Sequence, residues 1–127
     1  MRSTFWAMVV VLALSVVLCL FARHAQLNLV EDLTKMNDQA REMIWNEDFA
    51  GALALSEKMM RCFDHRRDVL EMVSSHDDLH ETHQHLVDAW VALKCEDKDD
   101  ACQALAQLSE MLEHLRNHEQ ITLANLC

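Results

Sequence analysis

The chain has no proline and one glycine in 127 residues. Strands and tight β-turns lose their usual punctuation without them, and abundant Ala, Leu, Met, Glu and Gln make helix the favoured structure throughout. The same shortage argues against an enzyme. Nucleophilic catalysis sets its serine or cysteine and its oxyanion donors on glycine-containing turns, and one glycine is too few to build them. Paired carboxylates occur on every helical stretch, so none is singled out for acid–base work. Positive charge is scarce as well, with 11 Lys+Arg against 21 Asp+Glu and a formal net charge of −10. No basic stripe is available for nucleic acid, and an acidic surface repels DNA, RNA and anionic headgroups alike. The five cysteines form no C-x-x-C, so neither a thioredoxin-like centre nor a zinc ribbon is indicated. No cofactor is expected.

What the chain does have is one long apolar run. Residues 5–22 are uncharged and mostly apolar, and Arg23 and His24 follow at once. At about 1.5 Å per residue this run is roughly 27 Å long, enough to cross a hydrocarbon core of about 30 Å once flanking residues are counted. A cleaved signal peptide is the rival reading, with Arg2 as its basic region. Its cleavage site is poor: neither Ala22 with Leu20 nor Ala25 with Arg23 makes the small-x-small pattern. A lipid anchor on Cys19 would need a small residue just before it, where Val16, Val17 and Leu18 stand. The expectation is an uncleaved signal anchor in the cell membrane. Lysine and arginine nearly tie on its two sides, Arg2 against Arg23 and Lys35. The short tail, residues 1–4, favours a cytoplasmic N-terminus with residues 23–127 outside the cytoplasm.

Beyond the span lie all 21 Asp+Glu and 10 Lys+Arg, the chain's 11 less Arg2, for a formal charge of −11. Leu29, Leu33, Met36, Ala40 and Met43 make one apolar stripe on a helix of about 24–46, continuous with the span. A second helix, about 48–73, carries Phe49, Leu53, Met60, Phe63 and Leu70, with Ala52, Leu55, Met59 and Cys62 alongside. Such a wide face is buried on two sides. Ser75 can cap a third helix, about 76–95, with Asp78 reaching back to its amide; its stripe is Leu79, His83, Leu86, Trp90 and Leu93. The fourth, about 98–117, shows Ala101, Leu105, Leu108, Leu112 and Leu115, and a short turn at 122–126 closes one end. Short polar breaks at 46–48 and 96–98 make neighbouring helices antiparallel. The expected fold is all-α, an N-terminal transmembrane helix followed by an antiparallel four-helix bundle of two α-hairpins.

Residues 52–59 resemble residues 104–111 at a shift of 52 with one register slip, which implies two hairpins of similar design. The stretch Trp45-Asn46-Glu47-Asp48-Phe49-Ala50-x-Ala52-Leu53 is weakly tetratricopeptide-like, but a period of 52 rather than about 34 argues against a repeat array. Together with His76-Asp77-Asp78, the run Leu108-x-x-Met111-Leu112-Glu113-His114-Leu115 and Glu119-x-Ile121-Thr122-Leu123-x-Asn125-Leu126, these features are specific enough to name a relative. Over nearly its whole length the chain resembles the small bacterial membrane-anchored proteins grouped as domain of unknown function 4363 (DUF4363). The resemblance implies an anchored helical domain and no established activity. Where that family usually has a proline after the Glu-His pair, Arg116-Asn117-His118 stands here, so the helix runs longer.

Histidine is the one constellation with chemistry. His76 and His80 are four apart, as are His114 and His118, so each pair shares a helix face, the spacing at which two imidazoles can bind one metal. A hairpin about residues 96–97 sets 76 opposite about 117 and 80 opposite about 113, with Asp77, Glu81, Glu113 and Glu119 near enough to act as ligands or acceptors. The same residues also read as a structural network of His76, Glu113 and His114, as a pH sensor, or as plain surface. His83, on an apolar stripe, reads as a core residue. Cys95 and Cys102 flank one turn and could pair in an oxidising compartment, and Cys127 could link two copies into a homodimer. The expected function is a non-enzymatic membrane-tethered accessory protein that docks a membrane or envelope partner, with a metal- or pH-responsive sensor as the alternative.

Overall fold

A computed structural model describes residues 1–72 and 74–126, with side-chain surroundings up to residue 117. Four helices account for nearly all of it: α1 (Arg2–Trp45), α2 (Phe49–Leu70), α3 (His76–Lys94) and α4 (Lys98–Leu126). No strand occurs among the described residues. The first helix is a single rod of 44 residues with two halves of opposite character. From Phe5 to Phe21 its large apolar side chains are exposed. From Ala22 onward Gln26, Leu29, Val30, Leu33, Met36, Asn37, Ala40 and Ile44 are buried. The boundary is a change of neighbours, since only the second half has other helices against it.

Each helix touches the next, and α4 returns to α1; the diagonals α1–α3 and α2–α4 stay apart. Cross-helix contacts show every neighbouring pair to be antiparallel. Asp32 faces Arg66 between α1 and α2, while Met43 lies beside Gly51 further along. Glu57 meets Trp90 and Asp64 meets His83 between α2 and α3. The result is a closed up-down-up-down bundle, unlike an open tetratricopeptide stack, whose first and last helices would not meet.

The core draws leucines and small residues from all four helices. All five stripe residues expected on α4 are buried, but two expected on α3 are not: His83 and Trp90 are half-buried, and Thr82, Ala89 and Ala92 take the inner face. On α2 the deepest positions are Ala52, Ser56, Met59, Phe63 and Leu70, with Phe49, Leu53 and Met60 at the margin. A four-helix core is narrow. It admits alanine, serine and threonine where helix backbones converge and sends bulky indoles outward.

The α1–α2 and α3–α4 connections are the same structure built twice. In the first, the amide of Glu47 donates to the carbonyl of Ile44 at 3.0 Å and that of Asp48 to Met43 at 2.8 Å; in the second, Glu96 donates to Leu93 at 3.1 Å and Asp97 to Ala92 at 2.9 Å. This pair of bonds is a Schellman motif, which needs a left-handed residue after the helix. Glutamate holds that position in both, with φ of 61° at Glu47 and 54° at Glu96. The aspartate that follows caps the next helix: Asp48 accepts from the amide of Gly51 at 3.0 Å and Asp97 from that of Asp100 at 3.2 Å.

Two readings change as a consequence. The internal repeat runs at 49 residues, the separation of Glu47 and Glu96, and not at 52. The pairs Val30 and Leu79, Ala40 and Ala89, Ile44 and Leu93, Ala52 and Ala101, Met59 and Leu108, and Phe63 and Leu112 are buried at that offset. A shift of 52 matched letters one helical turn out of structural register. The fourth helix also continues unbroken to Leu126, so there is no separate turn at 122–126. Residues 98–126 contain no proline or glycine to end it.

Candidate functional site

Polar side chains concentrate along the α3–α4 seam, where two open grooves follow one another and share Gln107. The first, about 290 Å³, is lined by Glu81 and His85 of α3 and by Glu110, Met111 and His114 of α4. His114 Nε2 lies 4.0 Å from Asp78 Oδ2, and His85 Nε2 lies 3.6 Å from Glu81 Oε1. At these separations the contacts are electrostatic rather than direct hydrogen bonds. Among the described residues His85 Nδ1 is buried with no hydrogen-bond partner.

The expected hairpin register therefore holds, with Asp78 beside His114, but helix rotation divides the residues named for a site. His76 and His80 are exposed on either side of the buried Leu79. Glu113 turns away from His114 into a groove with Thr34, Ser109 and Arg116 on the α1 side. His118 and Glu119 lie outside the described side chains, as does Cys127. Among the described residues no group of three or more His, Cys, Asp or Glu side chains is arranged to hold a metal ion. Of the residues named for a structural network, His114 faces Asp78, Glu113 lines the groove on the α1 side and His76 is exposed. Asp78 does not close a capping box; Ser75 Oγ alone caps α3, accepting from the Asp78 amide at 3.1 Å. The spacing of Glu81 and His85 was the available signal for the groove, while Glu110 needed the register between helices.

His83 stacks on Phe63, ring centroids 6.0 Å apart, with its Nδ1 4.0 Å from Asp64. It covers the edge of the core and lies outside the groove. Cys95 and Cys102 are separate free thiols. Cys95 is exposed at the end of α3, while Cys102 packs against the core from the second turn of α4.

The second groove, about 450 Å³, opens beside the α3–α4 turn. Val91, Ala92, Cys95 and Ala104 line it, with Asp88, Asp97 and Asp100 around them. Asp97 holds the carboxyl of Asp100 above its usual value, first through its negative charge and then through their hydrogen bond, with smaller contributions from burial and Asp99. The two lysines nearest this groove point elsewhere: Lys94 Nζ sits 4.5 Å from the centroid of Trp90 and Lys98 Nζ 5.1 Å from that of Trp45. Both are at cation–π distance.

Neither a curated protein nor a solved structure matches the chain. The match that does exist covers residues 20–126, almost all of the bundle, and by it the chain belongs to the family described as Domain of unknown function (DUF4363).

Proposed function

We propose that the protein is a single-pass membrane protein whose bundle docks a membrane or envelope partner as a non-enzymatic accessory subunit. One observation carries this reading. The exposed apolar half of α1 and its buried half belong to one uninterrupted helix, and that helix is long and apolar enough to cross a membrane. In this reading residues 5–22 span the bilayer, residues 1–4 lie in the cytoplasm and residues 23–127 lie outside it. A bundle joined to its span without a linker is held upright. From Ala22 to Trp45 the rise is about 35 Å, so both Schellman turns stand well clear of the headgroups. That rigid presentation suits a spacer or docking subunit better than a tethered catalyst.

The test is purification of the full-length protein from native membranes in mild detergent, with copurifying proteins identified and metal quantified on one sample. A stoichiometric membrane partner without metal supports the accessory reading. About one metal ion per chain, lost on His76→Ala with His114→Ala, overturns it. Labelling of Cys95 in intact cells by a membrane-impermeant maleimide tests the orientation, since that thiol is exposed near the far end of the bundle.

A pH-responsive sensor is the second reading, favoured by the groove in which His85 and His114 share space with Glu81 and Glu110. Imidazole is the side chain that changes charge near neutrality. Partner binding that switches between pH 5.5 and 7.5, and no longer does so in His85→Gln with His114→Gln, would favour it.

A further inference from the structure

The groove beside the α3–α4 turn has two properties that together define an occupant. Its walls are matched helical stripes. Asp88, Val91 and Cys95 recur at three and four residues on α3, and Asp100, Ala104 and Gln107 at four and three on α4. Each wall spans about two turns, long enough to lie along two turns of another helix. Its second property is charge without neutralisation. Among the described residues none of Asp88, Asp97, Asp99 and Asp100 forms an ion pair, because Lys94 and Lys98 lie over tryptophan rings. Asp88 accepts only from Gln84, at 3.1 Å. Between the carboxylates Val91 stays 47% exposed, a large apolar side chain left in water on the bundle surface.

We propose that this groove binds a cationic amphipathic helix of a partner protein, its apolar side on Val91 and its lysine or arginine side chains on Asp88, Asp97 and Asp100. The proposal rests on the accessory reading and names the chemistry of the partner. A second copy of this chain is a poor occupant, since each carries a net charge of −10. On α2 the exposed Lys58 and Arg61 stand among Glu57, Asp64 and Asp68, and Arg66 and Arg67 already face Asp32 and Glu71. A metal ion leaves Val91 uncovered, and no described cluster is arranged to hold one. Like-charge crowding of Asp97 on Asp100 is relieved when a cation arrives, which adds to the electrostatic attraction.

The experiment uses the full chain in nanodiscs of zwitterionic phosphatidylcholine, titrated with a fluorescent 18-residue Leu/Lys peptide patterned as an amphipathic helix. The control is a scrambled peptide of the same composition. The patterned peptide is expected to bind at least tenfold more tightly than the scrambled one and to slow alkylation of Cys95 at least fivefold. Val91→Gln, and separately Asp97→Asn with Asp100→Asn, should each weaken it at least fivefold, while Asp68→Asn leaves it unchanged. Equal binding of the two peptides, unprotected Cys95, or indifference to Val91→Gln overturns the proposal. The two readings fail separately. A native partner that still copurifies with Val91→Gln and with the double aspartate variant removes the groove and leaves the accessory function standing. A chain that copurifies with nothing, yet binds the patterned peptide as described, removes the accessory function and leaves the groove.

Discussion

Asn37 and Ser56 sit fully buried in the first hairpin; 49 residues further on, the second hairpin places Leu86 and Leu105. Asn37 Nδ2 donates to the Leu105 carbonyl at 3.1 Å, but among the described residues Asn37 Oδ1 and Ser56 Oγ have no partner. The surfaces differ more. Residues 23–72 hold seven Lys+Arg and ten Asp+Glu, whereas residues 74–127 hold three and eleven, with six of the eight histidines. Two hairpins thus share turns, register and core positions while one carries a moderate charge and the other a strong negative one. Core equivalence is demanded by packing, because each inner position faces its counterparts across a narrow bundle. Solvent makes no such demand of the outer faces, so they are where the hairpins diverge and where binding chemistry collects.

Truncating the equivalent anchors Phe63 and Leu112, both 1% exposed, breaks both hairpins at one level. Phe63→Ala should cost about 3–5 kcal/mol and Leu112→Ala about 2–5 kcal/mol, read from urea unfolding in neutral detergent by helical circular dichroism. If one hairpin tolerates its substitution, the equivalence of the two cores is lost. Exchanging the unlike pair sharpens the contrast. Leu86→Asn buries an amide among apolar neighbours and should cost about 3 kcal/mol, whereas Asn37→Leu removes an unpaired oxygen and should stabilise by about 1 kcal/mol. The turns should respond alike: Glu47→Gly and Glu96→Gly each relieve a left-handed glutamate, for a gain of up to about 1 kcal/mol.

The smallest effect concerns charge. Asp100 has its carboxyl raised in the folded protein, so the penalty of ionising it is absent below its unfolded value of 3.8 and sets in as pH climbs through the folded pKa. Asp100→Asn should therefore raise the melting temperature slightly at pH 7 and low salt. The gain should vanish near pH 3 and shrink in high salt. Asp48→Ala, which removes the cap at the matching turn of the first hairpin, should by contrast lower stability by about 1 kcal/mol.

Periodicity made most of the fold legible. The α4 stripe, the run of α1 through and beyond its apolar half, the cap on Ser75 and the antiparallel register that brings 78 beside 114 all follow from spacing and loop length, which act locally along a helix. The repeat of 49 was not legible, because sequence similarity at 52 is a match of letters while the true offset is defined by the two left-handed glutamates. The groove was half legible. Glu81 and His85 share a face by spacing alone, but the rotation that sends Glu113 toward Thr34 and His114 toward Asp78 depends on how two helices pack. The same holds for Lys94 and Lys98, whose charges look available to Asp97 and Asp100 in one dimension and are held over Trp90 and Trp45 in three.

By itself, the sequence determined that the chain is helical, that one segment is apolar enough to span a bilayer, and that the remainder is acidic; each depends on composition and local spacing. Tertiary structure decided which polar residues meet, that the first and last helices close a ring, and that Lys94 and Lys98 lie over tryptophan rings and not on the carboxylates around Val91. Those depend on the rotation of each helix about its own axis, which is set by packing against neighbours far away in the chain.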